Sequence, residues 1–117
     1  MAGLADVLRG LAARDGVQAA LLLSGEGLPI EHAGSGELEP DTVAALAATL
    51  AQCAGRLGEG AARGDLRAAV LDFDGGPVVL SRAGASDWLA ILTRPETDIG
   101  PLLYDLRRHG PALAGLL

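Results

Sequence analysis

The chain is 117 residues long and half hydrophobic, which suits one globular domain with a buried core. Its formal charge of −6 and its single Phe, Trp and Tyr argue against nucleic acid as a partner, because phosphates attract positive charge and bases need stacking surfaces. All nine basic residues are arginines, so neither a P-loop lysine nor a Schiff-base lysine is available.

The first part of the chain predicts a helix followed by a hairpin. Apolar residues recur at helical spacing from Leu4 to Leu11, and Asp15-Gly16 is a typical helix stop. The nearly unbroken apolar run Val17–Ser24 is too short for a core helix and predicts a buried strand. Gly25-Glu26-Gly27 permits a tight turn into a second strand, Leu28–Ala33.

The remainder predicts two helices separated by three strands. Pro40 suits the first position of a helix, which is expected to reach about Leu57. The last helix is expected to begin between Thr97 and Gly100 and to stop at Gly110-Pro111. The strands between these helices are Leu66–Phe73, Pro77–Ala83 and Trp88–Arg94. The order α-β-β-α-β-β-β-α predicts an α+β fold, an α/β sandwich in which helices cover a five-stranded antiparallel sheet, and we expect one domain over residues 1–117.

No segment predicts membrane insertion or export. The apolar run Val17–Leu23 is far too short to span a bilayer. Asp6 and Arg9 lie where a secretion signal would need apolar residues, so a cytoplasmic protein is expected.

The residues that could support chemistry have simpler explanations. His32 and His109 lack a third ligand at metal-like spacing. Asp72 and Asp74 precede Gly75, which is an ordinary hairpin signal. Cys53 lies on an apolar helix stripe and is expected to be a small core residue. We therefore predict no enzyme activity, no catalytic residue, no cofactor and no metal site.

The most informative segment is Thr42–Gly55, which lacks charge although a helix covering a sheet normally has a charged outer face. At about 100° per residue, the second helix divides into three stripes. The large stripe is Val43, Leu46, Leu50, Cys53 and Leu57; the small stripe is Ala44, Ala47, Ala48, Ala51, Ala54 and Gly55; the polar stripe is Thr42, Ala45, Thr49, Gln52 and Arg56. The large stripe is expected to pack on the sheet and the small stripe on a second subunit. The alternative is that alanine is simply an abundant helix former.

The element order and two local motifs resemble the Roadblock/dynein light-chain-seven family over essentially the whole chain. The segment from Gly16 to Ile30, with Gly25-Glu26-Gly27 at its turn, is similar to the family's opening hairpin. The segment from Asp98 to Arg108 resembles the family's closing amphipathic helix. Neither motif is a catalytic signature, and their spacing around an uncharged central helix is the stronger evidence.

The resemblance implies a homodimer in which the third strands pair and the second helices pack side by side. It also implies a non-enzymatic regulator or platform for a Ras-like small GTPase; some similar proteins stimulate GTP hydrolysis by that partner. The chain shows no counterpart of the extra C-terminal segment of some such regulators, which favours GTPase binding over activation. The expected dimer residues are Ala44, Ala48, Ala51, Gly55, Leu66, Ala68 and Val70, and the expected partner-binding residues are Thr42, Thr49, Gln52 and Arg56.

Two other functions remain open at this stage. One is a scaffold or adaptor subunit of a larger complex, and the other is a small-molecule sensor, which would need a roomy pocket with converging polar groups. For Arg56, the alternative to partner binding is a favourable interaction with the C-terminal dipole of its helix.

Overall fold

The computed structural model describes residues 3–114, with side chains described through residue 108. Within this range the chain forms three helices and five strands, so the predicted fold class is confirmed. The helices are α1 (Leu4–Ala12), α2 (Pro40–Gly60) and α3 (Gly100–Ala114), and the strands are β1 (Val17–Leu23), β2 (Pro29–Gly34), β3 (Ala68–Phe73), β4 (Gly76–Ala83) and β5 (Asp87–Thr93). No helix in this range is both long and apolar enough to cross a membrane.

Both later helices are longer than predicted. The predicted stop at Gly110-Pro111 is wrong, because α3 continues to Ala114 and the proline removes one helical N–H without ending the helix. The α2 helix also passes through Gly58 rather than ending near Leu57. A Cβ atom at Gly58 would lie 2.5 Å from the carbonyl oxygen of Gly64, so this glycine allows the following loop to approach the helix closely.

The five strands form one antiparallel sheet in the order β2-β1-β5-β4-β3. The hairpins β1–β2, β3–β4 and β4–β5 join neighbours in this order, as the turn residues predict. The connection through α2 places the second half of the sheet on the far side of β1. As a result, β2 and β3 are the two edge strands.

The two faces of the sheet are covered by different helices. On one face, α1 and α3 enclose a core that includes Leu8, Leu22, Ile91 and Leu102. On the opposite face, α2 packs over Leu21, Leu23, Leu80 and Ala90. Alternation along the inner strands β1, β4 and β5 sends successive side chains to these two cores, which makes these three strands mostly apolar.

The predicted rotation of α2 is wrong. The small stripe faces the sheet of its own chain: Ala44, Ala48 and Ala51 are 0%, 4% and 5% exposed. The reason is steric, because the sheet already presents large side chains such as Leu21 and Leu23, and only small residues let the helix approach closely enough to fill the layer. The same closeness is seen at Gly27, where an added Cβ would lie 3.2 Å from the Ala45 Cα.

Candidate protein-protein interface

The large stripe of α2, expected in the core, lies instead on the outside of the chain. Leu46 and Leu57 are 64% and 73% exposed, while Val43 and Leu50 are half-buried at the margin of the α2 core. Cys53, between these leucines on the stripe, is exposed, so its predicted core position is also wrong. Exposing large leucines along one stripe gives no stability to the single chain, and this pattern is typical of a surface that another protein covers.

The sheet beside this stripe is also incompletely covered. Leu71, Val78 and Leu92 form one cross-strand row on the α2 face, adjacent to the row that contains Leu80, and all three are half-buried. Phe73 continues this face on β3 and is 57% exposed. The turn residue Gly27 contacts the opposite flank of α2, so the large stripe points over the uncovered part of the sheet. Together these residues form what we call the apolar surface: Val43, Leu46, Leu50, Leu57, Leu71, Phe73, Val78 and Leu92.

The apolar surface continues to an unpaired strand edge. Strand β3 pairs with β4 on one side only. The Arg82 amide donates to the Arg67 carbonyl, and bonded pairs alternate along an antiparallel ladder. The backbone groups of Ala68, Val70 and Asp72 therefore point away from β4, toward the free edge. An exposed edge of this kind is a template for pairing with another strand.

A third feature is the outer ridge of α2. The four residues predicted to bind a partner, Thr42, Thr49, Gln52 and Arg56, are all exposed on it. The Thr49 hydroxyl donates to the Ala45 carbonyl at 2.9 Å, which satisfies it within the helix. The ridge therefore offers one cation, Arg56, and one amide, Gln52, on an otherwise uncharged surface.

The predicted dimer residues are not brought together as one surface. Ala44, Ala48 and Ala51 are enclosed within their own chain, so they are not available to a second subunit. Leu66 is half-buried and packs against the α2 core. Gly55 is half-buried, and a Cβ added there would meet no other part of the chain within 4 Å. Ala68 and Val70 do lie on the free edge, with Val70 43% exposed.

Leu46, Leu57 and Phe73 are exposed residues of the candidate interface that the sequence did not predict. The signal for the two leucines was present, because α2, with its uncharged segment Thr42–Gly55, offers two apolar stripes and only one can face the sheet. Phe73 was assigned only to a strand, and its exposure follows from the position of that strand at the sheet edge.

The described part of the chain contains no group of three His, Cys, Asp or Glu side chains that could hold a metal. His32, Asp72 and Asp74 are exposed. The side chain of His109 is beyond residue 108, where the described side chains end.

The Roadblock/LC7 domain model matches residues 4–93, so the chain belongs to this family and the predicted resemblance is confirmed. The structure is similar to a Roadblock/LC7 domain from Streptomyces avermitilis, with 28% identity, 97% of both chains covered and a TM-score of 0.86. It is also similar to Myxococcus xanthus MglB, with 15% identity, 96% and 92% coverage and a TM-score of 0.87. The gliding protein MglB from Thermus thermophilus gives 21% identity, 99% and 93% coverage and a TM-score of 0.84. No curated protein matches the chain significantly.

Proposed function

We propose that this chain is a non-enzymatic, homodimeric regulator or platform that binds a Ras-like small GTPase in the cytoplasm. The proposed dimer is supported by the apolar surface and by its continuation into the free edge of β3. The GTPase as partner rests on membership of the Roadblock/LC7 family, which the fold and the family match support. Residues 1–117 act in this proposal as a single domain.

The dimer uses the large stripe of α2 where the sequence predicted the small one. A two-fold axis beside β3 places the apolar surface of one subunit against that of the other, so Leu46 and Leu57 become buried. Both subunits contribute the same residues, and each leucine is therefore buried twice per dimer. Burial of the exposed leucines and Phe73 is the main stabilising contribution.

The strand pairing has a defined register in this proposal. The outward-facing backbone groups of β3 belong to Ala68, Val70 and Asp72, which are symmetric about Val70. An antiparallel pair centred on Val70 uses all of them, with Ala68 of each subunit opposite Asp72 of the other. This pairing joins the two sheets into one continuous sheet.

The GTPase binds on the outer ridge of α2 and the loops beside it. Thr42, Thr49 and Gln52 supply hydrogen-bonding groups at low charge, and the two-fold axis duplicates the ridge. Arg56 is the expected centre of the interaction, because arginine pairs in bidentate fashion with carboxylates such as those of a GTPase switch region. The GTP-bound form is the expected preferred state.

The proposal is tested in two steps. Light scattering at micromolar concentration reports the oligomeric state, and a monomer would refute the dimer. Calorimetry with candidate Ras-like GTPases of the source organism, loaded with GDP or a non-hydrolysable GTP analogue, reports binding. A dimer that binds no such GTPase in either state would leave the scaffold function as the better explanation. A GTP hydrolysis assay with a bound GTPase then separates activation from simple binding.

A further inference from the structure

We propose that an arginine-lined groove, at the side of the domain where α2 ends and β3 begins, binds an acidic polypeptide segment of a partner protein. The groove goes beyond the proposed GTPase function, and none of its lining residues belongs to the outer ridge of α2. It consists of two adjoining cavities of about 850 and 280 Å³ that share Arg67, Arg82 and Arg107 among their lining residues. Arg63 lines the larger cavity.

The groove concentrates positive charge in an acidic protein. It contains four of the nine arginines and one acidic residue, Asp65, in a chain of net charge −6, which leaves −9 on the rest of the molecule. Asp65 is 87% exposed and lies 4.0 Å from Arg82, too far for a strong ion pair. Among the described side chains, Arg63, Arg67 and Arg107 have no carboxylate within ion-pair distance. An anionic ligand would therefore meet guanidinium groups that are not already neutralised.

One guanidinium is held in place by its surroundings. The Arg82 guanidinium carbon lies 5.7 Å from the centroid of the Trp88 ring, within the range of a cation–π contact. Its side chain is only 37% exposed, whereas Arg63, Arg67 and Arg107 are exposed around it. Arg82 is thus the most constrained of the four arginines, and the side chains of the other three can adjust to the ligand.

The apolar part of the groove favours a polypeptide over a simple anion. Leu66 from the loop before β3 and Leu103 and Leu106 from α3 line it, and none of these three belongs to the apolar surface. Leu57, near the end of α2, borders both the groove and the apolar surface. Because both cavities are partly open to solvent, they do not enclose a small molecule in the way that a ligand pocket does. Carboxylates spaced around an apolar side chain would satisfy both the arginines and the leucines.

Electrostatics also disfavours nucleic acid in the groove. A phosphate backbone extends beyond four arginines, and it would then meet the negative charge on the rest of the surface. The groove also offers no aromatic side chain on which bases could stack. A short acidic segment avoids both problems.

The test measures the binding of a short fluorescein-labelled peptide in which glutamates flank leucines, with the otherwise identical glutamine peptide as a control. Anisotropy should show binding of the glutamate peptide only, and binding should weaken between about 50 mM and 500 mM salt. Arg67→Gln and Arg107→Gln should each weaken it about three- to tenfold. Arg108→Gln is the matched control, because it removes the same charge from the next residue of α3 but does not line the groove. Trp88, the only tryptophan, supplies a second readout through its contact with Arg82.

Several results would overturn the proposal. These are no peptide binding, equal binding of the two peptides, or equal losses for Arg107→Gln and Arg108→Gln. Tighter binding of a single-stranded oligonucleotide or of free phosphate through the same arginines would assign the groove to another ligand. Dimer dissociation by Arg67→Gln would assign that arginine to the subunit interface. None of these results bears on GTPase binding, which is measured separately on the outer ridge.

Discussion

Leu46→Ala provides the sharpest test of the proposed dimer. Leu46 is 64% exposed in the single chain, so truncating it leaves the packing of the subunit nearly unchanged. Full burial of a leucine side chain contributes about 1.5–3 kcal/mol, and burying the exposed fraction therefore contributes about 1–2 kcal/mol per subunit. Since each dimer buries the residue twice, the substitution should cost about 2–4 kcal/mol of association free energy. The dissociation constant should rise roughly 30- to 1,000-fold.

The matched control is Leu28→Ala. Leu28 is 62% exposed and lies just before β2, at the opposite edge of the sheet from β3. The two substitutions remove the same atoms from similarly exposed positions, so only their location differs. Sedimentation of a dilution series gives the dissociation constant for each variant, and thermal melts of the monomers check the fold. The interface assignment is refuted if Leu46→Ala leaves the dissociation constant unchanged, or if both variants raise it equally.

Three further predictions concern the core, the ridge and nucleotides. Ala48→Glu would bury a carboxylate beneath α2 and should lower the free energy of unfolding by about 3–5 kcal/mol in chemical denaturation. Ala45→Glu, on the exposed side of the same helix, should change it by less than about 0.5 kcal/mol. Similar effects of the two substitutions would contradict the orientation of α2. Arg56→Ala should weaken GTPase binding by about 1–3 kcal/mol in calorimetry without changing the melting temperature. Lower stability with unchanged affinity would instead show that Arg56 stabilises its helix through the C-terminal dipole. The chain alone should neither bind GTP or ATP tightly nor hydrolyse them, because it lacks a P-loop lysine, and micromolar binding in calorimetry would contradict this.

Much of the fold could be predicted from local patterns. The glycine turns at Gly25-Glu26-Gly27 and at Gly75-Gly76 fall between the predicted strands, and all five strands lie within two residues of their predicted bounds. Hairpins between consecutive strands make the sheet antiparallel without reference to distant residues. Helix ends were harder to predict, because α2 continues through Gly58 and α3 through Pro111. Helix formation is cooperative over the whole segment, so one unfavourable residue does not fix where a helix ends.

The candidate interface was only partly predictable. The absence of charge from Thr42–Gly55 indicated correctly that more than one face of α2 is apolar. The exposure of Thr42 and Arg56 also followed from the three stripes. The location of the exposed leucines could not be predicted, because periodicity identifies apolar stripes but does not show which of them faces the sheet.

The sequence alone therefore determined the order of elements, the antiparallel hairpins and the apolar character of α2, because each depends on residues close together in the chain. Tertiary structure decided which stripe of α2 faces inward. That choice depends on the volume of the side chains already on the sheet, such as Leu21 and Leu23, and these leave room for alanine rather than leucine. Tertiary structure also brought Arg63, Arg82 and Arg107 together from a loop, a strand and a helix. No local sequence pattern could show that these three charges share one groove.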